Sequence, residues 1–168
     1  MRPSRADLAR YCDKLSAFVN FADELGQLST CRRRKVGTIV FPPDCSTVNA
    51  IGYNGPPRGV PNDSCTGESG KCGCAHAEAN AVGKIGLLWY PSLMYVSTQP
   101  CYPCATAIVN CGGIMGVLYG ESWRDDAGIR LLGRAGIPVV RVASLGERRQ
   151  RDIISKWWAA GRARRGLA

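Results

Sequence analysis

The stretch CAHAEANAV, Cys74 to Val82, holds His76, the only histidine among 168 residues, with Glu78 two places on. Further along, TQPCYPCATAIVNCG places Cys101 and Cys104 after Pro100 with two residues between them. One imidazole and two thiolates are three ligands that suit Zn²⁺. Three protein ligands leave a fourth position open, as in a catalytic zinc, whereas a structural site is closed by four. A zinc of that kind lowers the pKa of a bound water toward about 7. Glu78, close to a ligand without being one, is placed to take a proton from such a water and pass it to a substrate. Neutral histidine with two thiolates leaves the ion formally neutral and a weaker acid than a three-histidine zinc. Helix N-termini at His76 and Cys104 offset this, because the positive end of the helix dipole stabilises thiolate and developing negative charge.

The elements that must position these groups are legible from spacing. Ala6–Leu25 carries Leu8, Tyr11, Leu15, Phe18, Val19 and Ala22 on one helical stripe. VGTIVF (Val36–Phe41) and TVNAIGY (Thr47–Tyr53) read as strands around a turn marked by Pro42, Pro43 and Asp44. Asn54–Gly73 is rich in Gly, Pro, Asn and Ser, and a loop of that length is uncommon without a task. Helices follow at His76–Ile85, Cys101–Asn110, Asp125–Ala135 and Ser144–Ala160, alternating with strands at Leu93–Thr98, Ile114–Gly120 and Pro138–Val142. Such alternation implies an α/β fold with a largely parallel inner sheet covered on both faces. Sites in such folds gather at the carboxyl ends of the strands.

Length and composition fit one soluble domain over residues 1–168, with 45% hydrophobic and 21% charged residues. No apolar run approaches the roughly 20 residues that cross a bilayer. Asp7, Asp13, Lys14 and Asp23 interrupt any signal-peptide core, so the expectation is a cytoplasmic protein without membrane contact. In that compartment the nine cysteines are thiols or metal thiolates rather than disulfides. The net charge of +9 is uneven: from Arg141 onward eight basic residues face only Glu147 and Asp152. A basic helix and tail from about residue 144 can attract nucleic acid, though a solvated helix face is the commoner reading.

Alone, a C-x-x-C is often a redox pair and a single His a core residue. In this order, H-x-E followed by P-C-x-x-C is the signature of the zinc-dependent nucleobase deaminases. Over roughly Ser29 to Val142 the chain resembles the deoxycytidylate deaminase family. TCRRRKVGTIVF looks like the approach to that family's first strand, and GYNGPPRG (Gly52–Gly59) like its nucleotide loop. The resemblance implies a three-layer α/β/α sandwich with a mixed five-stranded sheet. It implies that His76, Cys101 and Cys104 bind zinc, that Glu78 is the proton shuttle, and that Asn54 hydrogen-bonds the deoxyribose. Ala77 and Trp123 would also lie against the substrate. The implied reaction is hydrolysis of a cytosine nucleotide, dCMP or a 5-substituted dCMP, to dUMP and ammonia, by a homo-oligomer. Arg32, Arg33, Arg34, Lys35 and Arg58 are available for the phosphate, and Arg33 and Arg58 are the choices made from sequence.

Two departures matter. Trp123, in YGESWRDD, stands where the family has tyrosine, which opens the preferred base or C5 modification. In the short loop before His76, Asn62 stands where larger relatives have histidine beside a cysteine. Cys31, Cys65, Cys72 and Cys74 could supply four thiolates for a second, structural zinc; free thiols are the competing reading. Two other functions compete with a nucleotide deaminase. A tRNA or single-stranded DNA deaminase would use the basic tail, but no stripe of aromatic and basic residues supports it. A zinc-stabilised binding module would have no use for Glu78 beside an open metal position.

Overall fold

The computed structural model describes residues 3–85, 91–145 and 151–164. The first helix, α1 (Arg5–Gly26), buries Tyr11, Leu15, Val19, Ala22 and Gly26, a spacing of three and four that keeps one face against the sheet. Its start is fixed by a capping box. Asp7 N–H donates to Ser4 Oγ at 3.1 Å, and Ser4 N–H donates to Asp7 Oδ2 at 3.0 Å.

Five strands follow: β1 (Gly37–Phe41), β2 (Ala50–Tyr53), β3 (Ser92–Thr98), β4 (Ile114–Glu121) and β5 (Val139–Arg141). They lie in the order β2-β1-β3-β4-β5. The expectation of a largely parallel sheet holds for β3, β4 and β5. β1 runs antiparallel to both of its neighbours, so the sheet is mixed, as the resemblance implied. The segment joining β1 to β2 is too short for a crossover and must turn the chain back as a hairpin.

Alternation along the strands sends side chains to opposite faces. Ile39, Phe41, Leu93, Tyr95 and Leu118 pack with α1 and with Trp157 and Trp158 of α5 (Arg151–Arg164). Val40, Met94 and Val117 pack on the other face with α2 (Ala77–Ile85), α3 (Tyr102–Asn110) and α4 (Ala127–Arg134). The result is an α/β/α sandwich whose inner strand β1, between β2 and β3, is buried along its whole length.

The last helix differs from its expected span. Val142–Ser144 is a 3₁₀ turn, closed by the Ser144 hydroxyl donating to the Arg141 carbonyl at 2.7 Å, and Leu145 leaves it extended. A serine that bonds backward in this way competes with helix initiation. The described helix begins at Arg151, and residues 146–150 of the expected span lie outside the described residues. Among the described residues no helix is long and apolar enough to cross a membrane.

Candidate active site

Two helix starts meet at the end of the sheet where β3 and β4 finish. His76 immediately precedes α2, and its carbonyl accepts the Asn80 N–H at 3.1 Å, so it acts as the N-cap residue. Cys101 caps α3, with Pro103 in the first turn, where a missing N–H costs nothing, and Cys104 one turn in. Packing holds both starts in place. A Cβ on Gly52 of β2 would strike the Ala77 carbonyl, and one on Gly128 of α4 would strike the Pro100 carbonyl. Both helices therefore sit on backbone that only glycine allows to come so close.

His76 Nδ1 lies 3.4 Å from Cys101 Sγ and 3.3 Å from Cys104 Sγ. Bonds of about 2.1 Å to nitrogen and 2.3 Å to sulfur around one tetrahedral ion separate those atoms by roughly 3.6 Å, so the donor set fits zinc. No fourth His, Cys, Asp or Glu joins this group among the described residues. The thiols are unequal: the Cys104 S–H and the His76 ring hold Cys101 as a thiolate, with a pKa drawn down to about 4. His76 is pushed up mainly by its bond to Cys101. Glu78 is 4% exposed, and burial pushes its carboxyl up to about 7. That is the range in which a carboxyl both accepts and returns a proton near neutrality.

These groups line a cleft with about 680 Å³ of free space, counting the open solvent at its mouth. The structure brings Asn54, Arg33, Ala77, Glu78, His76, Cys101 and Trp123 of the expected set to its wall, with buried Cys104 behind them. Arg58 is exposed and does not line it. Asn54 is buried and partly committed: its Oδ1 accepts Val36 N–H at 2.8 Å, and its Nδ2 donates to the Arg34 carbonyl at 2.7 Å. One amide hydrogen and one lone pair remain for a ligand.

Sequence reasoning missed Gln99 and passed over Arg34. Gln99 donates from Nε2 to the Asp125 carbonyl at 2.7 Å and accepts Trp123 N–H at 3.2 Å, pinning the segment that carries Trp123. Its place directly before Pro100-Cys101 was the available signal. Arg34 stacks over the Trp123 ring with 4.4 Å to the centroid, and Arg124 sits over the same ring at 5.4 Å. Trp123 is thus a support for cations rather than a bare apolar plate.

Beside the cleft lies a second cluster. The sulfurs of Cys31, Cys65, Cys72 and Cys74 all fall within 4.8 Å of one another. Cys65 Sγ is 3.9 Å from Cys31 Sγ, close to the roughly 3.8 Å edge of a tetrathiolate zinc. Arg32 N–H points at Cys65 Sγ from 3.4 Å and is the main influence lowering that thiol to about 7. All nine cysteines are free thiols. The long loop is also closed by paired backbone bonds between Gly55 and Ala75.

Residues 13–121 match the family model for the cytidine and deoxycytidylate deaminase zinc-binding region. Over 137 residues the chain is 34% identical to a deoxycytidylate deaminase of Saccharomyces cerevisiae, covering 74% of this chain and 43% of that one. It is 33% identical over 121 residues to the deoxycytidylate deaminase of Mycobacterium phage D29, covering 61% of this chain and 90% of that one. The chain thus spans less than half the length of its yeast relatives. The dCMP deaminase of cyanophage S-TIM5, crystallised with dCMP and dUMP, superimposes with a TM-score of 0.67 at 30% identity, covering 75% of this chain and 94% of that one. By the match over residues 13–121, this chain belongs to the zinc-binding cytidine and deoxycytidylate deaminase family.

Proposed function

We propose that this protein hydrolyses the exocyclic amine of a cytosine deoxynucleotide, converting dCMP or a 5-substituted dCMP to dUMP or its analogue and ammonia. The observation that carries the reading is the convergence of His76, Cys101 and Cys104 with buried Glu78 in one cleft. In this reading His76, Cys101 and Cys104 hold a catalytic zinc. Bound there, zinc would supply an activated water at neutral pH. Glu78 accepts a proton from the attacking water and delivers it to N3 of the base. As the C4–N bond breaks, Glu78 carries the second proton from the new C4 hydroxyl to the departing amine. Oxygen is left on C4, and ammonia leaves. Burial of Glu78 excludes competing proton donors from that relay.

Asn54 orients the sugar, with Ala77 and Trp123 alongside it. Cys31, Cys65, Cys72 and Cys74 hold a second, structural zinc that fixes the loop between β2 and α2. A tetrathiolate zinc carries a formal charge of −2, and the run Arg32–Lys35 beside it offsets that charge. We read residues 1–168 as one domain that ends in a basic helix and tail from about residue 144, working as a homo-oligomer in the cytoplasm, where free thiols stay reduced. Among the described residues none from α5 lines the cleft, which favours a free nucleotide over a polynucleotide. The test is ammonia release by zinc-loaded protein offered dCMP, CMP, dCTP, deoxycytidine, 5-methyl-dCMP and an oligodeoxycytidylate. Turnover of the deoxynucleoside monophosphates supports the proposal; turnover of the oligonucleotide alone overturns it.

A further inference from the structure

Every residue from Glu121 to Asp126 is exposed, yet this segment carries Trp123 to the wall of the cleft. An exposed, irregular stretch has little packing of its own and sits at the low end of local stability. Its buried tie is Gln99, 7% exposed and itself part of that wall. β3 ends at Thr98 and β4 at Glu121. One further ladder bond follows, from Gln99 N–H to the Glu121 carbonyl at 2.9 Å. Beyond it Pro100 has no N–H to offer, and the chain turns away toward Cys101 and Cys104. The Gln99 side chain takes over. Its Oε1 accepts Trp123 N–H at 3.2 Å, and its Nε2 donates to the Asp125 carbonyl at 2.7 Å. A primary amide holds a donor and an acceptor side by side, so it continues the pairing after the main chain has stopped. Asp125 passes the tie on, its Oδ1 accepting Ala127 N–H at 2.8 Å at the start of α4.

We propose that Gln99 is a positioning residue for substrate binding, which fixes Trp123 as a wall of the cleft before the nucleotide arrives. The proposal rests on the reading above that the cleft takes a pyrimidine nucleotide with Trp123 against it. The indole is flanked by two cations, Arg34 at 4.4 Å and Arg124 at 5.4 Å from the ring centroid. Both sit on long, flexible stems, so they orient the ring only once its backbone is held. The backbone is held from Gln99. Without that tie the wall stands in place for only a fraction of the time, and apparent affinity falls by the same fraction. The proton transfers at Glu78 do not pass through Gln99, so the loss falls on binding rather than on chemistry. A leucine can neither donate nor accept here, and a glutamate has no donor for the Asp125 carbonyl. If Gln99 served only the fold of the neighbouring Cys101 segment, its removal would release zinc and would not act through Trp123.

The experiment is a double-mutant cycle on zinc-loaded wild type, Gln99→Leu, Trp123→Ala and the double variant, read by calorimetry with dUMP and by dCMP kinetics. Gln99→Leu should weaken dUMP binding about tenfold and raise KM for dCMP by a similar factor. Its kcat should stay within about threefold of wild type. Trp123→Ala should weaken dUMP at least as much, and adding Gln99→Leu to it should cost no more than about twofold further. Gln99→Met, unbranched and of similar length, stands in if the leucine variant does not fold. Acrylamide quenching reads the wall in the free protein, with the Trp123 signal taken as the difference from Trp123→Ala. That signal should be quenched more strongly in Gln99→Leu than in wild type. Unchanged dUMP affinity in a folded, zinc-replete Gln99 variant overturns the proposal. So do losses that multiply in the double variant, or a loss that disappears once zinc is restored. Absence of dUMP binding to wild type overturns the nucleotide reading and the role of Gln99 with it. Binding of dUMP that is indifferent to Gln99 overturns that role alone.

Discussion

The side-chain amide of Asn54 donates to the Arg34 carbonyl at 2.7 Å while accepting Val36 N–H at 2.8 Å, so the residue expected on the sugar also splints the approach to β1. Asn54→Ala leaves the Val36 N–H without its partner and the Arg34 carbonyl with only the Ser29 hydroxyl at 3.5 Å, which costs about 1–3 kcal/mol. Urea unfolding should show that loss of stability, and KM for dCMP should rise with it. Unchanged stability would mean that the splint is dispensable.

The four-sulfur cluster gives a count. Elemental analysis of pure protein should find two zinc ions per chain. Cys65→Ser should keep one of them and lose stability, because metal binding there contributes directly to folding. The loop between Gly55 and Ala75 should then become sensitive to protease. One zinc per wild-type chain would reject the second site.

Gly128 predicts an effect at a distance from the chemistry. Gly128→Ala presses a methyl group against the Pro100 carbonyl and the backbone of Cys101. Overpacking of this kind costs about 1–3 kcal/mol, and here the strain falls on a zinc ligand. Zinc should leave the variant faster than wild type when a chelator is added. Gly133→Ala, one turn and a half further along α4 with nothing near its added Cβ, should leave the chelation rate alone.

How much of this was legible in sequence follows the range of the interactions. His76, Glu78, Cys101 and Cys104 were readable because the ligand spacing is local and the metal chemistry admits few residue types. The strands and helices were readable within a few residues for the same reason: their periodicity is local. The short turn made the antiparallel pairing of β1 with β2 readable, but not that of β1 with β3, since a run of buried residues looks alike in parallel and antiparallel neighbours. Gathering the sulfurs of Cys31, Cys65, Cys72 and Cys74 requires a fold that returns a long loop to the approach to β1, which spacing alone does not dictate. Arg34 was hidden in a basic run, where only a tertiary partner, Trp123, distinguishes it from Arg32 or Arg33.

The central claim, a metal-assisted deamination in which Glu78 moves the protons, is tested most directly by product analysis with wild type and Glu78→Gln at equal zinc content. Wild type should convert dCMP to dUMP with one ammonia released for each dUMP formed. Glu78→Gln keeps the size and hydrogen bonding of the side chain but cannot shuttle a proton. It should retain fold and zinc and lose about 10²–10⁴-fold or more in kcat. Turnover near the wild-type rate by zinc-replete Glu78→Gln, or no dUMP from zinc-replete wild type, would contradict the account.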